Sequence, residues 1–379
     1  MSAANEQATL PALLLDRAER APGRTALRHK RRGVWEVTTW AGYAADAAAV
    51  GLALQGLGLR PGDHLAILAA NRPEWLLADL GAQGVGAVTL GLAPTSPAPV
   101  VGNQLRSAGV RVVVCEDEEQ LDKVLEVRHE LPGLVAAVVI ETRGVRSLDD
   151  PLVHTWADLL SRGRTLDPAS WRRQVEALDP GATAAVLLLG GEAVKVAAGA
   201  LLGAAEPGGL PPATAADEVV SSLPLSGWAE RVASIVQPLA VGATVSFAER
   251  GGSFAQDLQE VQPTRRLDLA DGWQDLHRAT ERRLADASPL KRAVSRWCIA
   301  KGRTIAARRR ADAARASDPA LGAVCLLVCF GPLRHHLGLA RVTAALSTGG
   351  SPGPDALAWF EAIGVEVQAC SAAPEPVVA

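Results

Sequence analysis

The sequence is short of most residues that mark a specialised chemistry or environment. Its 379 residues include one methionine, one tyrosine, four phenylalanines and five cysteines, and the formal net charge is only −3. So small a net charge argues against nucleic acid as the main partner. A composition of 48% hydrophobic and 21% charged residues instead indicates a chain that folds around a sizeable core.

Long uncharged apolar runs are also missing, and this excludes a membrane span, which needs about 18 such residues. Residues 183–205 are numerous enough, but Glu192 and Lys195 interrupt them. ALGAVCLLVCF, Ala320–Phe330, is too short and is expected to be a buried element. The first ten residues, MSAANEQATL, lack the basic start and apolar core of a signal peptide. We therefore expect a cytoplasmic protein.

The cysteines and histidines form no recognisable reactive or metal-binding motif. The cysteine count is odd and there is no CxxC pair; Cys325 and Cys329 could share a helix face, but no second cluster completes a metal set. Buried free thiols in a reducing compartment are expected. The seven histidines are scattered and no nucleophile elbow occurs, so no catalytic residue and no metal ligand is assigned.

What the sequence does contain is a regular alternation of strand and helix patterns. Strand-like runs such as His64–Ala69, Val110–Cys115 and Val135–Ile140 are separated by helical segments, and after Pro180 a strand at Ala184–Leu189 precedes a predicted helix at Ala193–Ala205. Thr39 opens TWAGYAADAAAVGLALQGLG, which is expected to be a long helix capped by this threonine. This alternation predicts an α/β fold with two mostly parallel sheets flanked by helices. We place a first lobe with a polar connector at 1–179 and a second lobe at 180–379.

A basic helical segment lies in the second predicted lobe. Within residues 279–315, KGRTIAARRRADAAR carries six Lys and Arg residues against Asp312 alone. Such a helix face is compatible with simple solvation, with contact at an anionic membrane surface, or with an acidic partner.

Six stretches, in order along the chain, together resemble the adenylate-forming (AMP-binding) acyl-CoA synthetases, especially the long-chain fatty-acid–CoA ligases. GLAPTSP is similar to the family's LYPTSS, LPLSGWAERV to LPLSHxxER and LQEVQPT to REVRPT. The stretches are Gly62–Trp75, Gly91–Pro97, Val112–Leu134, Leu223–Val232, Leu258–Thr264 and Pro332–Leu357.

The resemblance implies a fold and a chemistry. It implies the N-terminal domain of an acyl-CoA synthetase, here without the barrel lobe and the mobile C-terminal lid domain. Members of the family use ATP and magnesium to join a fatty acid to AMP, and then transfer the acyl group to coenzyme A.

At the family's ATP-binding positions this sequence keeps few matching residues. The phosphate loop resembling TSGTTGxPKG corresponds to LLLGGEAVKV, in which Gly190, Gly191 and Lys195 match and Glu192 adds a negative charge. SGAAP corresponds to STGGS with Gly349 and Gly350, and YGxTE to SAAPE, in which only Glu375 matches. We regard these six matching positions as vestigial. For residues 186–206 the alternative interpretation is a strand, a turn and a helix that bind no ligand.

The acyl-binding positions are altered as well. The PLSH histidine is replaced by Gly227, and Trp228 follows it. Trp228 is expected either to fill the acyl tunnel or to pack in the core. Trp273, the one residue kept from the family's VPRVWE stretch, is expected to pack.

These changes predict a protein without ATP-dependent adenylation and without a bound cofactor, which acts by binding another protein chain such as an intact synthetase or another acyl-related enzyme. One alternative is a long-chain fatty-acid–CoA ligase completed by a partner chain. Another is a fatty-acyl binding module. An apolar surface left uncovered by the missing barrel is expected to mediate association.

Overall fold

The computed structural model describes residues 8–145, 149–189, 192–203, 211–249, 254–313 and 315–370. The elements up to residue 203 are α1 (Leu10–Arg20), β1 (Thr25–Arg31), β2 (Val34–Thr39), α2 (Trp40–Gly56), β3 (His64–Leu68), α3 (Pro73–Gly84), β4 (Val88–Leu92), α4 (Ala98–Ser107), β5 (Val110–Cys115), α5 (Glu118–Val127), β6 (Ala136–Val139), β7 (Val153–Thr155), α6 (Trp156–Gly163), α7 (Pro168–Glu176), β8 (Thr183–Leu189), β9 (Glu192–Ala197) and α8 (Ala198–Gly203).

The remaining elements are β10 (Glu218–Val220), α9 (Trp228–Arg231), α10 (Gln237–Val241), β11 (Thr244–Phe247), α11 (Phe254–Val261), β12 (Arg265–Leu269), α12 (Ala270–Ala285), α13 (Pro289–Arg310), α14 (Asp318–Cys325), α15 (Gly331–His336), β13 (Ala344–Thr348), α16 (Pro354–Ala362) and β14 (Val367–Ala369). Short π-helical segments at Val232–Val236 and Leu326–Phe330 join α9 to α10 and α14 to α15.

The chain forms two compact units. The first contains residues 1–206 and 224–247, and the second contains residues 207–223 and 248–372. The first unit therefore extends beyond the predicted boundary at residue 179, because β8, β9 and α8 belong to it.

The first unit is built around a seven-stranded sheet in the order β7–β6–β5–β3–β4–β8–β9. All neighbouring pairs are parallel except β8 with β9. β3 and β5 are almost continuously apolar and buried, as expected for parallel strands covered on both faces. In the same unit β1 pairs antiparallel with β2 and parallel with β11.

Helix α2 is positioned by a polar cap and by small residues. The Thr39 hydroxyl accepts a hydrogen bond from the Gly42 N–H at 3.2 Å, which confirms the predicted threonine cap. Gly51 and Gly81 permit α2 and α3 to approach closely, since a Cβ on Gly81 would lie 2.7 Å from the Ala47 carbonyl oxygen. The buried Trp171 of α7 packs there and donates to the Gly81 carbonyl at 3.2 Å.

The second unit contains the parallel strands β10, β12, β13 and β14, in that order. Its core is aromatic: the Phe360 ring meets the rings of Trp273 and Trp359 edge to face, with centroids 5.0 and 5.1 Å apart. Trp273 is fully buried and donates to the Leu346 carbonyl at 2.9 Å, which confirms its predicted packing role. The predicted class, α/β with mostly parallel sheets flanked by helices, is confirmed.

Two local predictions were wrong. The segment expected to be the helix Ala193–Ala205 is a strand as far as Ala197, because Val194 and Val196 lie in an antiparallel ladder with β8, and the helix begins only at Ala198. The segment Ala320–Phe330, expected to be buried, turns only Cys325 and Phe330 fully inward, and most of its apolar side chains are exposed.

All five cysteines are free; Cys115, Cys298 and Cys325 are buried, as expected, whereas Cys329 and Cys370 are only partly so. Within the described ranges no helix is long and apolar enough to cross a bilayer. Nor does that part of the chain bring three His, Cys, Asp or Glu side chains together as metal ligands.

Candidate functional site

The position of the family's phosphate loop lies between β8 and β9. Leu189 pairs with Glu192, so only two residues, Gly190 and Gly191, connect the strands. Both glycines lie outside the described residues. Lys195, the third predicted residue here, lies within β9 opposite Val186 and is exposed.

The two charged residues of β9 point in different directions. Successive side chains of a strand alternate between its faces, so Glu192 shares a face with the buried Val196, and Lys195 lies on the other face. Glu192 is also exposed. Neither residue forms an ion pair with a described residue, so the charges do not converge on one point.

The acyl-binding positions lie where the chain enters α9. Gly227 is the N-cap residue of α9 and provides no side-chain cap. Its N–H donates to the Pro224 carbonyl at 2.8 Å, and its carbonyl accepts from the Arg231 N–H at 3.1 Å. Trp228 is 5% exposed, so it is buried within the first unit. This burial is compatible with both expectations for Trp228, packing in the core and filling an acyl tunnel, and both stay predictions.

Two residues from other family-like stretches hold this turn in place. The Asn71 side-chain oxygen accepts a hydrogen bond from the Leu225 N–H at 3.0 Å. Gly91 of β4 lies so close that an added Cβ would be 2.8 Å from the Ser226 Cα. The similarity in these stretches therefore corresponds to packing of the scaffold around residues 224–228.

A buried ionic cluster lies beside the turn at residues 224–228. It was not predicted from the sequence. Arg231 Nη2 lies 2.7 Å from Asp79 Oδ1 and 3.0 Å from Oδ2, and the Thr89 hydroxyl donates to Oδ1 at 2.5 Å. The guanidinium lies over the Trp75 ring, 5.1 Å from its centroid. The signal in the sequence was the matching ER of LPLSGWAER, whose glutamate and arginine are both buried.

Burial also affects the neighbouring tyrosine. Burial, followed by the negative charge of Asp79, raises the pKa of Tyr43 well above its usual value. Tyr43 therefore stays protonated at any physiological pH. Its hydroxyl makes no hydrogen bond with a described residue, and the same holds for Arg231 Nη1. The cluster pairs Arg231 with Asp79 and is enclosed, which suits a structural role.

A second charge cluster gathers three carboxylates around Arg72. The guanidinium contacts Glu74 at 2.8 Å, Glu141 at 2.9 Å and Glu116 at 3.5 Å, and Glu116 also accepts the Ala70 N–H at 2.8 Å. Burial alone would lower the pKa of Arg72, but these carboxylates raise it above its usual value. Burial alone would raise the pKa of Glu74, but Arg72 lowers it. The carboxylates are thus engaged with arginine.

In the second unit, the positions of the family's adenine-pocket backbone follow β13. Gly349 and Gly350 have φ values of +73° and +128°, which glycine adopts without strain. The Ser347 hydroxyl donates to the Gly350 carbonyl at 2.7 Å. The pair follows the carboxyl end of a parallel strand, where ligands bind in open α/β sheets. Glu375 lies outside the described residues.

Comparisons with known proteins agree with this architecture. Residues 14–187 match the family model for AMP-binding enzymes. A long-chain-fatty-acid–CoA ligase from Xenopus laevis, ACSBG2, is 26% identical over 356 residues, which cover 90% of this chain and 48% of the ligase.

Solved structures agree at the level of the fold. The adenylation domain of a carboxylate reductase from Mycobacterium chelonae superposes with a TM-score of 0.70 at 16% identity, covering 97% of this chain and 58% of that one. A benzoate CoA ligase from Burkholderia xenovorans gives 0.67 at 18% identity, covering 97% and 61%. The chain spans about half the length of the curated relatives that it matches. The chain is therefore similar in sequence to AMP-binding enzymes and long-chain-fatty-acid–CoA ligases, and it has the fold of the N-terminal domain of adenylate-forming enzymes.

Proposed function

We propose that this chain is an acyl-CoA-synthetase-like protein that has lost ATP-dependent adenylation and acts through binding. The proposal rests on the pairing of Leu189 with Glu192, which leaves two glycines between β8 and β9. A triphosphate is held by many donors at once, from backbone N–H groups, hydroxyls and a lysine. Two glycines contribute at most two N–H groups and no hydroxyl.

The positions of the charged residues support the same proposal. Lys195 is fixed by the β8–β9 ladder and points away from the face on which Glu192 lies. Electrostatic stabilisation of a reacting phosphate requires donors aimed at one point in advance. Here the cation is exposed, and the carboxylate next to the connection would repel a phosphate.

The retained packing supports a binding role. The turn at residues 224–228 keeps its contacts with Asn71 and Gly91, and the Arg231–Asp79 cluster is fully enclosed. The turn is thus firmly packed at the acyl-binding position where Gly227 stands in place of the family's histidine. We propose that this scaffold recognises another protein chain, such as an intact synthetase or another acyl-related enzyme.

Adenylation can be tested directly. The purified chain is incubated with ATP, Mg²⁺ and a long-chain fatty acid, and acyl-adenylate is trapped with hydroxylamine while pyrophosphate release is followed. A full-length long-chain ligase serves as the positive control. We expect neither acyl hydroxamate nor pyrophosphate above the blank. Formation of both, and their loss in Lys195→Ala, would overturn the proposal.

The binding role needs a separate experiment. The tagged chain, expressed at its native level, is purified under mild conditions, and co-purifying proteins and lipids are identified by mass spectrometry. We expect a stoichiometric protein partner. If the complex with that partner forms acyl-CoA while neither chain does so alone, the chain is instead part of a split ligase. A monodisperse, partner-free monomer contradicts the binding role.

A further inference from the structure

The helical region after α13 carries an exposed apolar surface. Val324, Leu326, Leu327 and Val328 are 48%, 46%, 81% and 56% exposed. These four residues, in α14 and in the π-helical turn that follows it, are called the apolar face below. A single exposed leucine on a protein surface is ordinary, but four within five consecutive positions form a patch.

The sequence around the apolar face contains nothing that suits it to water. Residues 319–333 include no charged, amide or hydroxyl side chain. A helix on the surface of a soluble protein normally presents polar residues to solvent. Short uncharged segments of this kind are found as buried helices or at membrane interfaces. Because the outer side of this helix is exposed, a helix at a membrane interface fits the segment better than a buried helix does.

The chain that precedes the apolar face is strongly basic, and one further arginine, Arg334, follows it. Ten lysines and arginines fall within residues 289–336, against two aspartates, Asp312 and Asp318. Asp318 is buried and bonded to Arg308 at 2.7 Å, so it does not offset the free cations. The basic residues are Lys291, Arg292, Arg296, Lys301, Arg303, Arg308, Arg309, Arg310, Arg315 and Arg334.

A groove places part of this charge next to the apolar face. Leu326 lines a groove of about 910 Å³ together with Arg309, Arg310 and Arg334. Arg310 pairs with Glu361 at 3.3 Å, and Arg334 donates to the Leu339 and Ala340 carbonyls. Arg309 is exposed and forms no ion pair with a described residue. Glu361 and Glu366 also line the groove, so Arg309 is the arginine there that is available to an anionic ligand, and it lies in the same groove as Leu326 of the apolar face.

We propose that the apolar face and its arginines dock onto the surface of an anionic lipid bilayer. Apolar side chains would enter the boundary between headgroups and acyl chains, while Arg309 and its neighbours contact lipid phosphates and carboxylates. A bilayer fits better than a peptide partner. Within positions 324 to 328 only Cys325 is buried, so the exposed side chains spread over a wide arc of this helical stretch. Lipid acyl chains can contact all of these side chains at once. A peptide bound in the groove would leave Leu327 in water, because Leu327 does not line the groove.

The test uses the full chain and extruded vesicles, one set of phosphatidylcholine alone and one with about 30 mol% phosphatidylserine. Binding is measured by flotation at low and high salt. We expect binding to the anionic vesicles, weakened by salt, and lost in Leu327→Glu/Val328→Glu. Val34→Glu/Val37→Glu is the matched control, because these valines of the first unit are 64% and 57% exposed. The control variant should bind as the parent does.

A third variant tests the basic component. Arg309→Glu should lower the affinity for anionic vesicles by at least about fivefold, the effect of one basic residue at a charged bilayer. The proposal is overturned if the parent chain does not float with either vesicle, or if the apolar-face variant binds as well as the Val34/Val37 control. It is also overturned if the face captures a soluble acidic protein while no vesicle binds. None of these outcomes depends on nucleotide chemistry, so the adenylation proposal is tested separately.

Discussion

Arg231 and Asp79 form an ion pair in the first unit with almost no exposed surface on either side chain. One guanidinium nitrogen, Nη2, contacts both carboxylate oxygens, at 2.7 and 3.0 Å, and the Thr89 hydroxyl completes the contacts of Oδ1. Arg231 lies one helical turn after Gly227, the position at which the family has its histidine. The helix that begins after Gly227 therefore carries one partner of a buried ion pair.

Removal of one partner should be severe. Asp79→Ala leaves an uncompensated buried guanidinium and is expected to lower the free energy of unfolding by about 3–5 kcal/mol. The double variant Asp79→Leu/Arg231→Met, which removes both charges, should recover much of that loss. Urea denaturation followed by circular dichroism measures both. A loss below about 1 kcal/mol in Asp79→Ala would contradict the enclosed geometry.

Gly91 should tolerate no side chain. In Gly91→Ala the new Cβ would lie 2.8 Å from the Ser226 Cα and 3.0 Å from a Trp75 ring carbon, so backbone must shift. We expect a loss of about 1–3 kcal/mol in the free energy of unfolding. Gly23→Ala is the control, because no atom lies within 4 Å of the added carbon there, and it should change stability by less than about 0.5 kcal/mol.

Lys195 should be dispensable. Its side chain is exposed and forms no ion pair with a described residue, so Lys195→Ala should alter the free energy of unfolding by less than about 0.5 kcal/mol. Isothermal titration with ATP and Mg²⁺ should give the same result, no binding, for the parent and the variant. Tight binding by the parent that Lys195→Ala abolishes would show that the phosphate site persists.

The Arg72 cluster should make stability depend on pH in the acidic range. Arg72 lowers the pKa of Glu74 from its usual 4.5 in the folded state, so the stabilisation is present above that value and is lost as pH falls through the lower, folded-state pKa. Glu74→Gln should therefore be destabilised by about 1–2 kcal/mol at neutral pH, and its deficit should shrink in acid.

The matched control for Glu74 is Glu36→Gln, in which an exposed carboxylate 4.0 Å from Arg31 is replaced. Glu36→Gln should follow the parent across the same pH series. A Glu74→Gln deficit that stays constant down to about pH 3 would indicate a packing defect instead of a lost charge contact.

The elements predicted correctly from the sequence are those whose local pattern and tertiary position agree. Val110–Cys115 is a strand with the predicted bounds, and Thr39 caps α2 as predicted. In both cases the local sequence pattern suits the environment in which the fold places it. Continuous apolar strands are buried on both faces of a parallel sheet, and a threonine before a long alanine-rich run satisfies free N–H groups.

The errors occurred where tertiary pairing overrides local preference. The small, alanine-rich run after Gly191 has a helical composition, yet the ladder with β8 holds Glu192–Ala197 extended. Ala320–Phe330 was assigned to the interior because it is apolar, whereas only its inner side meets the core of the second unit. The Arg231–Asp79 pair was not predicted because its partners are 152 residues apart in the sequence.

The connection between Leu189 and Glu192 also makes this chain a host for protein engineering. The ladder from Ala185 to Leu189 defines the register that a longer connection would have to maintain, because loop length helps to set the register of a hairpin. Lengthening a loop costs only about 0.6 kcal/mol per doubling of its residues. A glycine- and hydroxyl-rich loop inserted there would be carried by a scaffold with the architecture of a nucleotide-binding enzyme. Such a graft would separate what the loop alone contributes to nucleotide affinity from what the rest of the domain contributes.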